Sequence, residues 1–321
     1  MQGLRPCSDI PTHKTPAGDD CFDDFVPQML LGTGAQGAAI EVVHKQHKLV
    51  AKILPFDDNS IREVQVQCAL NALHDQTGVF THAFGYQVCS EIPEDWANYI
   101  DQENLELLNR YIVIIMERGL YDLKDWKKLR VKPDEFKAIA FLVLHGIYEA
   151  RKALQFAHDD LHIGNIMLQV ATGPVHVRIG SNAFTVDPNY PKKHALRYVP
   201  KIIDFGYSEI GEESKEESDD MFASPSISSD LADFAFALER VEVLKPLFAS
   251  QLYMEAKNSS RSDARALERL LNGPFFASYR NNNDMQLGKR CVQCLTKATS
   301  RRTSDGLYFC AKACSDAFFL Q

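Results

Sequence analysis

The sequence changes character near residue 120, and that change constrains the fold more than anything else in the chain. From Val26 to Leu54 it reads as strand, glycine turn, strand, with EVVHKQHKLVAKIL holding two β-rich runs around the polar HKQHK, the signature of a hairpin. SIREVQVQCALNAL (60–73) carries apolar residues at helical spacing, and VFTHAFGYQV (79–88) and YIVIIME (111–117) read as strands, the second apolar enough to be central. Beyond residue 120, Pro133-Asp134 opens a long helix, FKAIAFLVLHGIYEARKALQFA, with proline acceptable in the first turn. Further helices are expected at 230–253 and 262–272, the latter ended by Asn272-Gly273-Pro274. A β-rich part followed by a helical part predicts an α+β molecule of two lobes. Residues 1–25, rich in Pro, Asp, Thr and Gly, read as an irregular arm, and GEESKEESDD (211–220) as a solvated acidic loop.

A length of 321 residues leaves room for one large two-lobed domain or two ordinary ones, plus a small appendage. The apolar fraction of 45% and charged fraction of 24% are ordinary for a soluble globular protein, and a net charge of −8 argues against the whole molecule binding polyanions. No apolar run reaches the roughly 18 residues of a membrane span. MQGLRPCSDIPTHKTPAGDD has no signal-peptide core, and Met1-Gln2 removes the myristoylation signature. The expectation is a cytoplasmic or nuclear protein without a membrane partner, whose eight cysteines stay reduced as free thiols or metal ligands. Cys7, Cys21, Cys68 and Cys89 are scattered, whereas Cys291, Cys294, Cys310 and Cys314 crowd the C-terminal end.

Gly32-Thr33-Gly34-Ala35-Gln36-Gly37 follows a strand and leads into another strand. Three glycines let a backbone approach phosphate oxygens without Cβ clashes. A dinucleotide-binding reading would require a helix directly after the loop. The following AAIEVVHKQHKLV is strand-like, which favours a glycine flap over ATP. Lys52 lies on the next strand, within reach of α- and β-phosphates, and Glu63 on the following helix is the best candidate to hold it. His158-Asp159-Asp160-Leu161-His162-Ile163-Gly164-Asn165 directly follows the long helix, and Lys201-Ile202-Ile203-Asp204-Phe205-Gly206 follows a short β run. At about 5% per specified residue and 7% per glycine, the three motifs together arise by chance in fewer than about one chain in ten thousand.

Over residues 26–275 these motifs resemble the protein-kinase superfamily, and DLHIGNIML with the long insert before IIDFG is most similar to haspin-type kinases, including haspin-like kinases of large DNA viruses. The resemblance implies a bilobal protein-kinase-like fold: a β-rich N-lobe over 26–119 and a helical C-lobe over 120–280, with an insert at 169–200 and a short activation segment at 207–229. It implies a serine/threonine-type kinase using ATP and magnesium on a protein substrate. Asp160 would be the base, Asn165 and Asp204 the magnesium ligands, and Lys52, braced by Glu63, the phosphate grip beneath Gly32, Gly34 and Gly37. Backbone groups around Glu117 and Gly119, beside Met116, would hold the adenine, and Asp230 would brace the catalytic loop. The viral resemblance also makes a virion location conceivable.

Departures from the family pattern are specific. No Ala-Pro-Glu follows Gly206. Asp159 stands in place of the arginine that pairs with an activation-loop phosphate. His162 replaces the lysine that neutralises the transferring phosphoryl group, a task the histidine can share unless it simply packs. DLHxGN followed by IDFG is also the pattern of aminoglycoside and choline phosphotransferases, so a small-molecule kinase is the enzymatic alternative. A pseudokinase scaffold is the non-enzymatic one, although no lysine or aspartate of the set is missing.

Cys291-x2-Cys294-x15-Cys310-x3-Cys314 offers two thiolate pairs, enough for one tetrahedral zinc, in a module spanning 286–321. Tyr308-Phe309-Cys310 resembles a treble-clef or FCS-type finger. Lys289, Arg290, Lys297, Arg301, Arg302 and Lys312 against Asp305 make the module basic, suited to nucleic acid or an acidic partner, or to a purely structural role.

Overall fold

A computed structural model of the chain describes residues 4–18, 21–34, 37–97, 99, 110–131, 133–171, 174–179, 181–186, 198–211, 230, 234, 264–273, 276, 279, 301–302 and 308–309. It is a mixed α+β structure with antiparallel sheets. The chain divides into two compact units: Met1–His74 with Phe80–Gly119 and Ile203–Ile210, and Asp75–Val79 with Leu120–Ile202 and Gly211–Gln321.

The first unit is built on five antiparallel strands, β1 (Val26–Gly34), β2 (Gly37–His44), β3 (His47–Pro55), β4 (Ala83–Cys89) and β5 (Tyr111–Glu117), in the order β1-β2-β3-β5-β4. YIVIIME is apolar at nearly every position because β5 is central and both of its faces are covered. Val113 and Ile115 join Ile40, Val42, Ala51 and Ile53 on one face, beneath Phe22, Phe25 and Trp96. Ile112, Ile114 and Met116 join Leu54 and Tyr86 on the other, against Ile61 and Val64 of helix α1 (Asp58–Asn71). Asp57 caps α1 by accepting the Ser60 N–H at 2.8 Å. Short helical turns α2 (His74–Thr77) and α3 (Glu94–Ala97) follow. The strand expected over 79–88 begins only at Ala83, because Val79 gives its carbonyl to the Ile202 N–H in the second unit's own backbone network.

Two amide side chains lock α1 onto β4 and the segment just before it. Gln67 donates to the Thr81 carbonyl at 2.6 Å, and Asn71 both donates to the Ala83 carbonyl (2.6 Å) and accepts the Ala83 N–H (3.0 Å). The amide of Asn71 thereby satisfies backbone groups that a neighbouring strand would otherwise take. The N-terminal arm adds a third tie. Arg5 forms an antiparallel bridge with Tyr86, Gly18 a parallel bridge with Cys89, and the Tyr86 hydroxyl donates to the Asp9 carbonyl.

The arm overturns one expectation. Cys7, Cys21, Cys68 and Cys89 are not free thiols: Cys7 is bonded to Cys68 on α1, and Cys21 to Cys89 on β4. Both partners lie more than sixty residues away in sequence, so only the folded arm brings the sulfurs within bonding distance.

The second unit centres on helix α4 (Pro133–Leu154), which packs on α5 (Ala264–Leu271). Phe141 of α4 meets Phe184, Phe276 and Tyr279 with ring centroids 5.1–5.4 Å apart. Strands β6 (Tyr121–Asp122), β7 (Ile166–Val170) and β10 (Tyr198–Ile202) form an antiparallel sheet ordered β10-β7-β6, and β8 (Val175–Ile179) pairs with β9 (Asn182–Val186) as a hairpin. The segment expected to be an insert therefore carries a hairpin of its own between the paired strands β7 and β10. Near the C-terminus, β11 (Arg301–Arg302) pairs with β12 (Tyr308–Phe309). Of the helix expected at 230–253, only Asp230 and Phe234 are among the described residues, and both are helical.

Candidate functional site

In the first unit the site is a cation held between two carboxylates. β3 places Lys52 opposite Ala39 of β2 and Ile114 of β5. Its Nζ donates to Glu63 Oε1 at 2.5 Å and to Asp204 Oδ1 at 2.7 Å. Glu63 reaches it from α1 with a side chain only 3% exposed, while Asp204 is 46% exposed. Burial pulls the Lys52 pKa down, but the charges of Glu63 and Asp204 and their hydrogen bonds outweigh it, and the net shift is upward. Lys52 is thus a fixed, permanent cation beside one buried and one solvent-facing carboxylate. Asp204 holds a left-handed backbone (φ 64°), a conformation aspartate tolerates better than most residues and one that clusters at functional sites. Phe205, buried, packs its ring against Phe80 with centroids 6.3 Å apart, which anchors the residue after Asp204.

The glycine run forms the turn between β1 and β2, where Gly34 pairs with Gly37; Ala35 and Gln36 lie outside the described residues. Its glycines have different reasons. Gly37 has φ +152°, and a Cβ there would fall onto the Ile53 carbonyl, so the sheet itself demands glycine. A Cβ on Gly32 would meet nothing within 4 Å among the described residues. Among the described residues, packing does not require glycine at position 32.

At the end of β5, Met116 is buried in the α1-side core. Glu117 is committed to His82: its N–H donates to the His82 carbonyl (2.9 Å) and its Oε1 accepts the His82 N–H (2.9 Å). The Glu117 N–H is therefore already engaged within the unit. Sequence reasoning missed Glu41, a buried carboxylate on β2 that pairs with Lys48 (2.7 Å) and with Arg118 and so ties the segment after β5 to the sheet. An isolated Glu in a strand pattern carries no signal of that role.

In the second unit the loop after α4 folds tightly on itself. Asn165 Nδ2 donates to the Asp160 carbonyl (2.9 Å) and to Asp160 Oδ2 (3.1 Å), leaving its Oδ1 as the acceptor the amide still offers. Asp160 itself remains 40% exposed. Asp230 is fully buried, and its carboxylate accepts the His158 N–H at 3.0 Å and the Asp159 N–H at 2.7 Å. The buried carboxylate thereby ties down the backbone that follows α4. Asp159 itself holds a left-handed backbone (φ 59°). The balancing cation is Arg151 in the last turn of α4, a residue the sequence reading did not single out. His162 precedes the 3-10 turn Ile163–Asn165 and caps it, its Nδ1 accepting the Gly164 N–H at 3.0 Å.

Cys291, Cys294, Cys310 and Cys314 lie outside the described residues, as do Lys289, Arg290, Lys297, Asp305 and Lys312. Among the described residues no group of three or more His, Cys, Asp or Glu is arranged to hold a metal, and no helix is long and apolar enough to cross a membrane. The chain matches no protein-family model, and no curated protein matches it.

Proposed function

We propose that this chain is an ATP- and magnesium-dependent protein kinase, of serine/threonine type and haspin-like in its machinery. The observation that carries the reading is the Lys52 ammonium clasped by Glu63 and Asp204 next to the glycine turn. A lysine fixed in this way grips α- and β-phosphates, and the open space over Gly32, near the end of β1, leaves room for them. Asp204 and Asn165 Oδ1 are hard oxygen donors suited to Mg2+, and Asp204 is the one carboxylate of the clasp that solvent reaches. Bound magnesium would neutralise the charge developing on the β- and γ-phosphates. Asp160 accepts the proton of the attacking hydroxyl; its carboxylate is half open to solvent and oriented by the Asn165 amide. Asp230, charged and buried, holds the backbone that carries Asp160. Backbone groups around Glu117 and Gly119 meet the adenine, with the Glu117 N–H already given to His82.

Radiolabelled-ATP transfer onto a panel of proteins and a panel of small alcohols tests this. Label on Ser or Thr of proteins is the expected result. Label on aminoglycosides or choline alone would move the assignment to a small-molecule phosphotransferase, and absence of ATP binding would leave a scaffold. The C-terminal cysteines belong to the proposal as a structural zinc module whose basic residues are available to an acidic partner or nucleic acid.

A further inference from the structure

The loop from Asp160 to Asn165 is tied together at one residue. The N–H of His162 donates to the Asp160 carbonyl at 3.0 Å, and its carbonyl accepts the Asn165 N–H at 3.0 Å. Its Nδ1 accepts the Gly164 N–H at 3.0 Å, with the backbone extended (φ −127°, ψ 171°) as an N-cap requires. We propose that His162 is a positioning residue: a neutral imidazole that caps the turn presenting Asn165 to Asp160, and not a cation for the transferring phosphoryl group. This role for the loop rests on the kinase reading above.

Charge and capping exclude one another at this ring. An imidazolium donates from both nitrogens and has no acceptor left, so the Gly164 bond requires the neutral form with its proton on Nε2. Nε2 lies 3.7 Å from Asp160 Oδ2, too far for a hydrogen bond. A packing role does not fit either, because the side chain is 48% exposed. The glycine at 164 completes the device. A Cβ there would stand 2.8 Å from His162 Cε1 and 3.0 Å from Nδ1, so any larger residue drives the ring off the cap. The His-x-Gly-Asn spacing thus has a local physical cause: the ring needs the glycine, and the turn needs the ring.

Four substitutions separate the roles. Asparagine supplies a capping oxygen without charge; lysine supplies charge without an acceptor. We expect H162A to lower kcat about five- to tenfold, the rate equivalent of one lost cap, with KM for ATP nearly unchanged. H162N should recover most of that loss and H162K none of it. G164A should fall as far as H162A, and the G164A/H162A double variant no further than either, because both remove one interaction. Activity restored by H162K but not by H162N would overturn the proposal in favour of a phosphate cation, and wild-type kcat in every variant would overturn it outright. Amide exchange at Gly164 reads the cap without catalysis: H162A should accelerate it and H162N should not, and equal rates would remove the cap. If the wild-type protein transfers no more label than D160N, the kinase reading fails and takes the positioning role with it, while the exchange rates still decide whether the cap exists.

Discussion

Arg151 and Asp230 form an ion pair from which solvent is wholly excluded: Nη2 lies 3.2 Å from Oδ2, and neither side chain has any exposed surface. Two charges taken out of water are tolerable only when each is compensated, and removing one partner of such a pair typically costs about 3–5 kcal/mol. Here the compensation is unequal. Asp230 keeps two backbone N–H donors, from His158 and Asp159, if the arginine is lost. Asp230→Ala should therefore lower unfolding free energy by the full amount and release the loop after α4, whereas Arg151→Met should cost less. Urea unfolding measures both. Equal, near-zero changes would show that the pair does not stabilise the unit.

Asp160→Asn and Asp204→Asn should fail differently. A general base contributes about a hundred- to ten-thousand-fold, so Asp160→Asn should abolish transfer while nucleotide still binds. Asp204→Asn removes a carboxylate that contacts Lys52 and, on the proposed reading, takes magnesium, so it should weaken Mg-ATP binding as well. Turnover and nucleotide affinity on the two variants separate them. Wild-type turnover by Asp160→Asn would end its assignment as base.

Activity should not depend on phosphorylation between residues 207 and 229. An ordering phosphate needs an arginine partner, and Asp159 offers repulsion instead. Nor does α1 wait for a signal: Gln67 and Asn71 already clamp it to the sheet, with Glu63 on Lys52. Phosphatase-treated protein should keep its activity, and a loss of about tenfold or more would show that an ordering phosphate is required after all.

Much of this was legible in the sequence for a reason that can be stated residue by residue. β5 is apolar nearly throughout because both of its faces are covered, β2 and β3 alternate more because their regularly buried positions fall mainly on one face, and Lys52 and Glu63 stand in elements whose order alone brings strand and helix together. What stayed illegible depends on long-range partners. Nothing around Arg151 announces that its counter-charge is Asp230, and nothing near Asn71 announces a strand edge needing an amide. Histidine at 162 could be read as cation or filler until the Gly164 N–H was seen on its Nδ1, since residue type leaves the protonation state open. The arm read as irregular because its order comes from bridges to β4 and not from any periodicity of its own.

One zinc per chain is expected at Cys291, Cys294, Cys310 and Cys314. Four thiolates close a tetrahedral sphere and leave no position for a reacting water, so the metal's role is structural. Such zinc contributes roughly 10–16 kcal/mol in finger peptides, more than a short segment gains from its own core. Elemental analysis should find the metal, Cys310→Ser should lose it, and transfer to a generic substrate should survive. A metal-free wild-type protein prepared without chelator under reducing conditions would refute the site.

The two disulfides should set the stability of the first unit more than any single core contact. Cys7–Cys68 closes a loop of 61 positions and Cys21–Cys89 one of 68. In the chain-entropy account, loops of that length each restrict the unfolded chain by about 4 kcal/mol, and because the two loops overlap their sum is smaller than twice that. The bridges also act on different parts of the sheet's surroundings. Cys7–Cys68 pins the arm to α1, five residues beyond Glu63, whereas Cys21–Cys89 pins it to β4. Reduction should lower the unfolding midpoint in urea whichever bridge is opened, so Cys7→Ser/Cys68→Ser and Cys21→Ser/Cys89→Ser should both be destabilised. Only the first pair should also raise KM for ATP, because loosening α1 loosens the carboxylate that holds Lys52. Mass mapping of the non-reduced protein checks the pairing itself, and four free thiols in protein that is fully active and unchanged in urea stability would show that the arm is held by its backbone bridges alone.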